Sequence, residues 1–172
     1  MIHRSMKLVQ VLAAIGAVAL ISACGRIRDA GSEQAAAEAE PADVHMDLEF
    51  ADDLGIDLER MTRQPSGLYY EDLAEGSGLG ARDGHVLSVY YTGRLTTGET
   101  FDSNTTGEGF SFQLGRRQVI LGWEQGIQGM RIGGKRRLVI PPALGYGQRG
   151  FPPDVPPSAT LVFEVELLDI RL

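Results

Sequence analysis

The residues of this 172-residue chain that could carry chemistry are not acid–base groups. Of its three histidines only His85 lies beyond residue 45, at the predicted start of a strand, where a solvated polar role is typical. No nucleophile elbow, P-loop or dinucleotide-binding glycine pattern occurs in the sequence. No group of histidines, cysteines or spaced carboxylates offers three metal ligands. Hydrolytic chemistry is therefore disfavoured, and neither a metal nor a cofactor is predicted.

Aromatic side chains are concentrated between residues 90 and 163. One small domain has limited room for all of them in its core, although core packing is the simplest interpretation for Phe112. The aromatic residues are therefore the first candidates for a binding role. The set comprises Tyr90, Tyr91, Phe101, Phe110, Phe112, Trp123, Tyr146, Phe151 and Phe163.

Hydrophobic spacing predicts the elements that position these side chains. Alternation over residues 85–93 predicts a strand with Tyr91 on its core face. Apolar residues at helical spacing between 120 and 127 predict one short helix that contains Trp123. The predicted fold is α+β, with a curved antiparallel sheet of about five to six strands around that helix. Further strands are predicted over residues 68–73, 110–112, 136–140 and 160–170, and a long functional loop over residues 141–157.

The charge of the chain argues against nucleic acid as a partner. Its 16 Lys and Arg stand against 23 Asp and Glu, a formal net charge of −7. A basic patch is the electrostatic footprint of nucleic-acid binding, and the one local cluster, residues 135–137, is too small to outweigh the acidic excess. We interpret this cluster as a solvated strand edge.

The N-terminal residues predict a secreted, lipid-anchored protein. Residues 1–23 combine a basic start with an apolar run of signal-peptide length, and Cys24 follows small residues in a pattern that resembles the bacterial lipobox. Lipidation of Cys24 would hold the protein at a membrane of a bacterial cell envelope, facing the periplasm or the exterior. An uncleaved anchor helix is the alternative. Residues 24–46 are predicted to be a flexible tether, residues 47–62 a short lead-in, and residues 63–172 the folded domain.

Six blocks of sequence occur in a characteristic order in the domain. They are residues 89–93 (VYYTG), 101–103 (FDS), 110–115 (FSFQLG), 119–126 (VILGWEQG), 143–147 (ALGYG) and 156–167 (PPSATLVFEVEL). In this order they resemble the signature of the FKBP-type peptidyl-prolyl cis-trans isomerases, which also bind the macrolide tacrolimus. The resemblance runs from about Ser66 to Leu172, so it covers the whole predicted domain.

The resemblance implies an aromatic pocket with Trp123 as its floor. In the family, the backbone N–H at the position of Ile120 and the phenol at the position of Tyr146 donate hydrogen bonds to ligand carbonyl groups. The first role is physically reasonable, because the opening residues of a helix carry N–H groups without an intrahelical partner. The implied catalytic residues are Tyr91, Phe101, Asp102, Ile120, Trp123, Tyr146 and Phe163, and the implied substrate contacts are Phe110, Val119, Phe151 and Val155.

An apolar pocket suffices for this activity, because rotation about an X–Pro bond requires no proton transfer. The barrier of about 18–20 kcal/mol arises because twisting the bond destroys amide resonance. A twisted amide has less charge separation than a planar one, so a dry aromatic pocket disfavours the planar ground state relative to the transition state. The absence of acid–base groups therefore fits the activity that the resemblance implies.

Two features depart from the family pattern. Between Asp102 and Phe110 the chain lacks the arginine that pairs with the aspartate in many relatives, so the sequence leaves the orientation of Asp102 undetermined. Phe151 occupies a loop position that is histidine in some relatives, and Asp154 falls where the lip of the pocket is often apolar. We expect these differences to alter substrate preference or macrolide affinity without removing the pocket.

The sequence as a whole predicts a peptidyl-prolyl cis-trans isomerase that acts during the folding of envelope or secreted proteins. Its expected partners are proline-containing polypeptides and macrolides of the tacrolimus type, and a monomer is expected. Two alternatives remain open. One is a non-catalytic module or chaperone that binds proline-containing segments, and the other is a surface-displayed interaction or virulence factor.

Overall fold

The computed structural model describes residues 48–172. The predicted signal segment, Cys24 and the predicted tether lie outside the described residues. Between residues 48 and 172, no helix has both the length and the apolar content that crossing a membrane requires. The described part contains nine β-strands, one α-helix and three short 3₁₀ helices.

Two of the strands, β4 and β9, are long, and the others have two to six residues. The strands are β1 (Thr62–Arg63), β2 (Tyr69–Ala74), β3 (Ser77–Gly80), β4 (Val86–Leu95), β5 (Thr100–Asn104), β6 (Phe110–Gln113), β7 (Arg131–Ile132), β8 (Lys135–Ile140) and β9 (Leu161–Arg171). The α-helix, α1, is Leu121–Gly126, and the 3₁₀ helices are Asp52–Leu54, Pro142–Leu144 and Gly147–Arg149.

Seven strands form one antiparallel sheet in the order β1-β2-β8-β9-β4-β5, with β6 also paired to β4. One edge of β4 is shared, because its residues 91–94 pair with β5 and its residues 86–89 pair with β6. The predicted α+β fold, a curved antiparallel sheet around one short helix, is confirmed. The sheet has more strands than the five to six predicted, because β1 has only two residues and because two strands divide one edge of β4. β3 and β7 form a separate two-stranded sheet.

Helix α1 packs against the inner face of the sheet through two glycines. A Cβ atom at Gly122 would lie 2.5 Å from Ile140 Cγ2, and one at Gly126 would lie 2.7 Å from Leu138 Cδ2. Glycine lowers helix propensity, and a helix of this length is marginal in isolation. The helix is therefore stabilised by its packing on β8, and the two glycines permit the close approach.

The described part of the lead-in, residues 48–62, covers part of the outer face of the sheet. Leu54 and Met61 are buried in a second apolar cluster with Val139 and Val162, which are paired neighbours on β8 and β9. Polar contacts hold the same segment: Arg137 Nη1 donates to the carbonyl oxygen of Gly55 at 3.0 Å. The lead-in is thus anchored to β8 by both apolar burial and a hydrogen bond.

The interpretation of residues 135–137 as a solvated strand edge is wrong. β8 is an interior strand, because it is flanked by β2 and β9. The Arg136 side chain is only 11% exposed and forms a bidentate ion pair with Asp72, with Nε 2.6 Å from Oδ1 and Nη2 2.9 Å from Oδ2. Its Nη1 also donates to the carbonyl oxygen of Gly126 at 2.8 Å, at the end of α1. Arg136 therefore joins β2, β8 and the helix.

Candidate active site

Trp123 lies at the centre of an aromatic cluster between helix α1 and the sheet. Its side chain is buried, and its ring makes edge-to-face contacts with two strand residues, at centroid distances of 5.1 Å to Tyr91 and 5.3 Å to Phe163. Phe110 lies 6.2 Å from Trp123 in the same type of geometry. Phe101 extends the cluster by contacting Phe163 at 5.5 Å. Edge-to-face arrangements at these distances are the favourable ones for aromatic rings.

Phe112 belongs to the core beneath this cluster, and core packing was the simplest interpretation of its sequence. It is buried, and its ring lies 5.8 Å from Trp123 and 5.9 Å from Phe110. Phe112 thus supports Trp123 from below, whereas Phe110 remains half-buried at the pocket wall.

Gly93 is a site residue that the sequence reasoning missed. A Cβ atom there would lie 2.6 Å from Phe163 Cε1 and 2.8 Å from Phe101 Cζ. The absence of a side chain therefore lets these two rings approach the backbone of β4. A glycine inside an otherwise alternating strand is the signal that could have identified it, since such glycines often mark close approach of other groups.

Asp102 is held by Tyr91 rather than by an arginine. Strands β4 and β5 bring the two residues together, and the phenol of Tyr91 donates a short hydrogen bond to Asp102 Oδ2. Among residues 48–172 Asp102 has no ion-pair partner. The orientation that the sequence left undetermined is therefore fixed by a neutral donor, and the carboxyl group stays at the pocket.

The pKa values of the two pocket tyrosines are raised. Burial is the main cause for Tyr91, and its hydrogen bond to Asp102 and the negative charge of Asp102 raise its pKa further. The pKa of Tyr146 is raised by burial and by the charge of Asp102. Both phenols therefore stay protonated, and able to donate, well into the alkaline range.

The two expected donors to a ligand are present and uncommitted. Ile120 is the N-cap of α1 with extended backbone angles, and no group within residues 48–172 accepts a hydrogen bond from its N–H. The Tyr146 hydroxyl likewise has no hydrogen-bond partner in that part of the chain. A ligand carbonyl could bind either group without displacing a protein contact.

The loop after β8 carries Tyr146, Phe151 and Val155, and Val119 precedes α1. Tyr146 and Phe151 form a ring pair at 5.6 Å, and both are half-buried. Phe151 and Val155 exchange two backbone hydrogen bonds, of 2.8 and 2.9 Å. Val155 itself is 1% exposed, and Val119 is also buried, so these two support the pocket from within the core. Asp154 is exposed.

The raised phenol pKa values predict a distinctive alkaline titration. Raised folded-state values mean that the stability contributed by Tyr91 and Tyr146 is fully present below their ordinary pKa of about 10 and is lost as pH rises through the folded-state values. In an ultraviolet titration we expect the Tyr91 and Tyr146 phenols to ionise above the ordinary tyrosine pKa. The variants Tyr91→Phe and Tyr146→Phe should each remove one late phenol. A titration in which neither substitution removes a phenol that ionises above about pH 10 would contradict this assignment.

Comparisons with known proteins identify relatives of this chain. The family model described as FKBP-type peptidyl-prolyl cis-trans isomerase matches residues 79–168. The 46 kDa FK506-binding nuclear protein of Spodoptera frugiperda is 51% identical over 106 residues, which are 61% of this chain and 26% of that protein. Peptidyl-prolyl cis-trans isomerase FKBP2 of Mus musculus is 57% identical over 92 residues, 53% of this chain and 66% of that protein. The chain thus spans less than two thirds of these relatives.

A solved structure shows the same fold. The crystal structure of AtFKBP13 superimposes with a TM-score of 0.61 at 36% sequence identity, and the match covers 64% of this chain and 98% of that one.

The predicted location in a bacterial cell envelope is wrong. The curated relatives just described are animal proteins, and one of them is named for the nucleus. The similarity to a bacterial lipobox at Cys24 therefore does not establish where the protein resides, because a four-residue pattern is a weaker indicator than similarity over about a hundred residues.

Proposed function

The chain belongs to the FKBP-type peptidyl-prolyl cis-trans isomerase family, and on that premise we propose that its domain accelerates rotation about X–Pro bonds in polypeptides. The observation that carries this proposal is the cluster around Trp123, bordered by two uncommitted donors, the Ile120 N–H and the Tyr146 phenol. The substrates are proline-containing segments of folding chains.

The pocket acts by favouring the rotated amide. A proline ring placed over Trp123 is surrounded by apolar groups, so the amide next to it loses its hydration. The planar amide has the larger charge separation, so this loss destabilises it more than it destabilises the twisted amide. The Ile120 and Tyr146 donors bind carbonyl groups on either side of the rotating bond and hold the segment in a turn. Asp102, oriented by Tyr91, provides an acceptor at the wall for a substrate N–H or hydroxyl group.

The same pocket is proposed to bind tacrolimus-type macrolides. A relative of this chain is named an FK506-binding protein, and this name supports the proposal that the pocket binds macrolides.

A protease-coupled assay with a Leu-Pro peptide tests the proposal. The domain should shorten the slow phase that reports cis-to-trans rotation, which takes tens to hundreds of seconds without a catalyst. A module that only binds proline-containing segments would leave that phase unchanged, and this result would defeat the proposed function.

Removing the Tyr146 hydroxyl should slow the reaction without unfolding the protein. We expect Tyr146→Phe to lower kcat/KM by about threefold to tenfold, the value of one hydrogen bond of roughly 1 kcal/mol. Tyr69→Phe is the matched control, because the Tyr69 hydroxyl makes no hydrogen bond to any side chain or carbonyl in residues 48–172. Equal rates for both variants would show that the Tyr146 phenol does not bind the substrate.

A further inference from the structure

The connection between β5 and β6, residues 105–109, leaves the sheet beside Tyr90. On the shared edge of β4, Tyr91 is the last residue paired with β5 and Val89 is the first paired with β6. Tyr90 lies between the two pairings. This connection joins the end of β5, the strand that carries Asp102, to Phe110 at the start of β6. Both residues belong to the pocket wall.

Two hydroxyl groups of β4 hold this connection. Ser88 Oγ donates to the carbonyl oxygen of Glu108 at 2.7 Å, and the Tyr90 hydroxyl donates to the carbonyl oxygen of Gly107 at 2.7 Å. Ser88 is 6% exposed, so its hydrogen bond is shielded from water. Of the side-chain hydrogen bonds formed within residues 48–172, these are the two that reach the backbone of 105–109.

The connection also fits closely against β4 at Gly109. Its φ of 76° lies in the left-handed region, and a Cβ atom there would lie 2.8 Å from the carbonyl oxygen of Val89. Gly107 has a φ of 77° as well. Glycine at both positions allows this path but leaves the unfolded connection more flexible, so fixed contacts are needed to order it.

Ser88 and Tyr90 act from outside the pocket. In β4 they alternate with Leu87, Val89 and Tyr91, which point to the core and to Trp123. Their hydroxyls are thus on the opposite face of the strand from the proposed substrate and cannot touch it. Any effect on turnover must be transmitted through the connection that they hold.

We propose that Ser88 and Tyr90 are positioning residues that fix the 105–109 connection and thereby hold the adjoining ends of β5 and β6, the strands that carry Asp102 and Phe110, at the pocket wall. The inference rests on the proposed isomerase function. In this chain the connection has no arginine to pair with Asp102, and the two hydroxyls supply the rigidity from the other side of the sheet.

Kinetics of Ser88→Ala and Tyr90→Phe test the inference, measured well below the thermal midpoint of each variant. We expect kcat to fall by about threefold to tenfold in each, with KM changed by less than about twofold, because the pocket wall is displaced and no substrate contact is removed. Amide hydrogen exchange in residues 105–109 should accelerate by about tenfold. Ser77→Ala and Tyr69→Phe are the matched controls, since neither hydroxyl bonds to the described residues 48–172.

The possible outcomes distinguish the positioning role of Ser88 and Tyr90 from the proposed isomerase function. If the wild-type protein accelerates rotation but Ser88→Ala and Tyr90→Phe match their controls, the positioning role is overturned and the isomerase function stands. The positioning role is also overturned if the loss of rate in each variant is fully explained by the fraction of that variant that is unfolded. If the wild-type protein accelerates no proline peptide, both proposals fail together.

Discussion

Replacing Trp123 with alanine should lower the free energy of unfolding by about 3–5 kcal/mol, the usual cost of truncating a buried aromatic residue. The same change should reduce kcat/KM by about a hundredfold, because the pocket loses the surface on which the proline ring rests. Trp123 contacts Tyr91, Phe110 and Phe163 at once, so its removal also loosens the walls. Chemical denaturation and the protease-coupled assay measure the two effects separately.

Two further variants separate stability from activity at this position. Leu68→Ala, in the fully buried core, should cost a comparable 2–5 kcal/mol or so but leave the rate of the folded fraction unchanged. Trp123→Phe keeps a ring at the floor and also removes Nε1, a buried donor without a partner in residues 48–172. Trp123→Phe should therefore retain more stability and more activity than Trp123→Ala. Full activity in Trp123→Ala would exclude Trp123 from the site.

Arg136→Ala should destabilise the fold by about 3 kcal/mol, although Arg136 is not one of the proposed site residues. The change leaves the carbonyl oxygen of Gly126 without its charged donor, which is worth roughly 1.5–3 kcal/mol. It also removes the contact of the guanidinium with the face of Tyr70 at 4.6 Å, worth about 1 kcal/mol. Asp72 is left alone but is partly solvated, which limits the electrostatic penalty.

The neighbouring residue provides the control for Arg136. Lys135 forms an ion pair with Glu166 at 3.1 Å, but its side chain is 54% exposed. Exposed pairs of this kind contribute about 0–1 kcal/mol, so Lys135→Ala should be nearly neutral. Urea unfolding of both variants measures the difference. Similar midpoints for the two would mean that the burial of Arg136 has no energetic consequence.

The sequence predicted the elements around the pocket because their signals are local. Alternation in β4 placed Tyr91 on the core face, and helical spacing placed Trp123 on a short helix, as the structure confirms. The family resemblance added Ile120 and Tyr146, which local pattern alone does not distinguish from other residues. Their use as donors remains a proposal that the assays above test.

What the sequence could not predict depends on contacts between distant residues. Arg136 is 64 positions from Asp72, and nothing in the local pattern of residues 135–137 indicates an interior strand. The division of one edge of β4 between β5 and β6 is likewise a matter of register. Gly93 and Ser88 owe their roles to neighbours brought together by that register, so their significance becomes visible only in the folded chain.

The pairing of β2 with β8 has a practical consequence for anyone shortening this protein. The family model begins at residue 79, after β2 has ended, and a fragment cut there would lose β2, one of the two strands that pair with β8. The exposed backbone of β8 would then be an open template for other chains, and aggregation is the usual fate of such an uncovered strand. A usable fragment must therefore start before Tyr69, the first residue of β2.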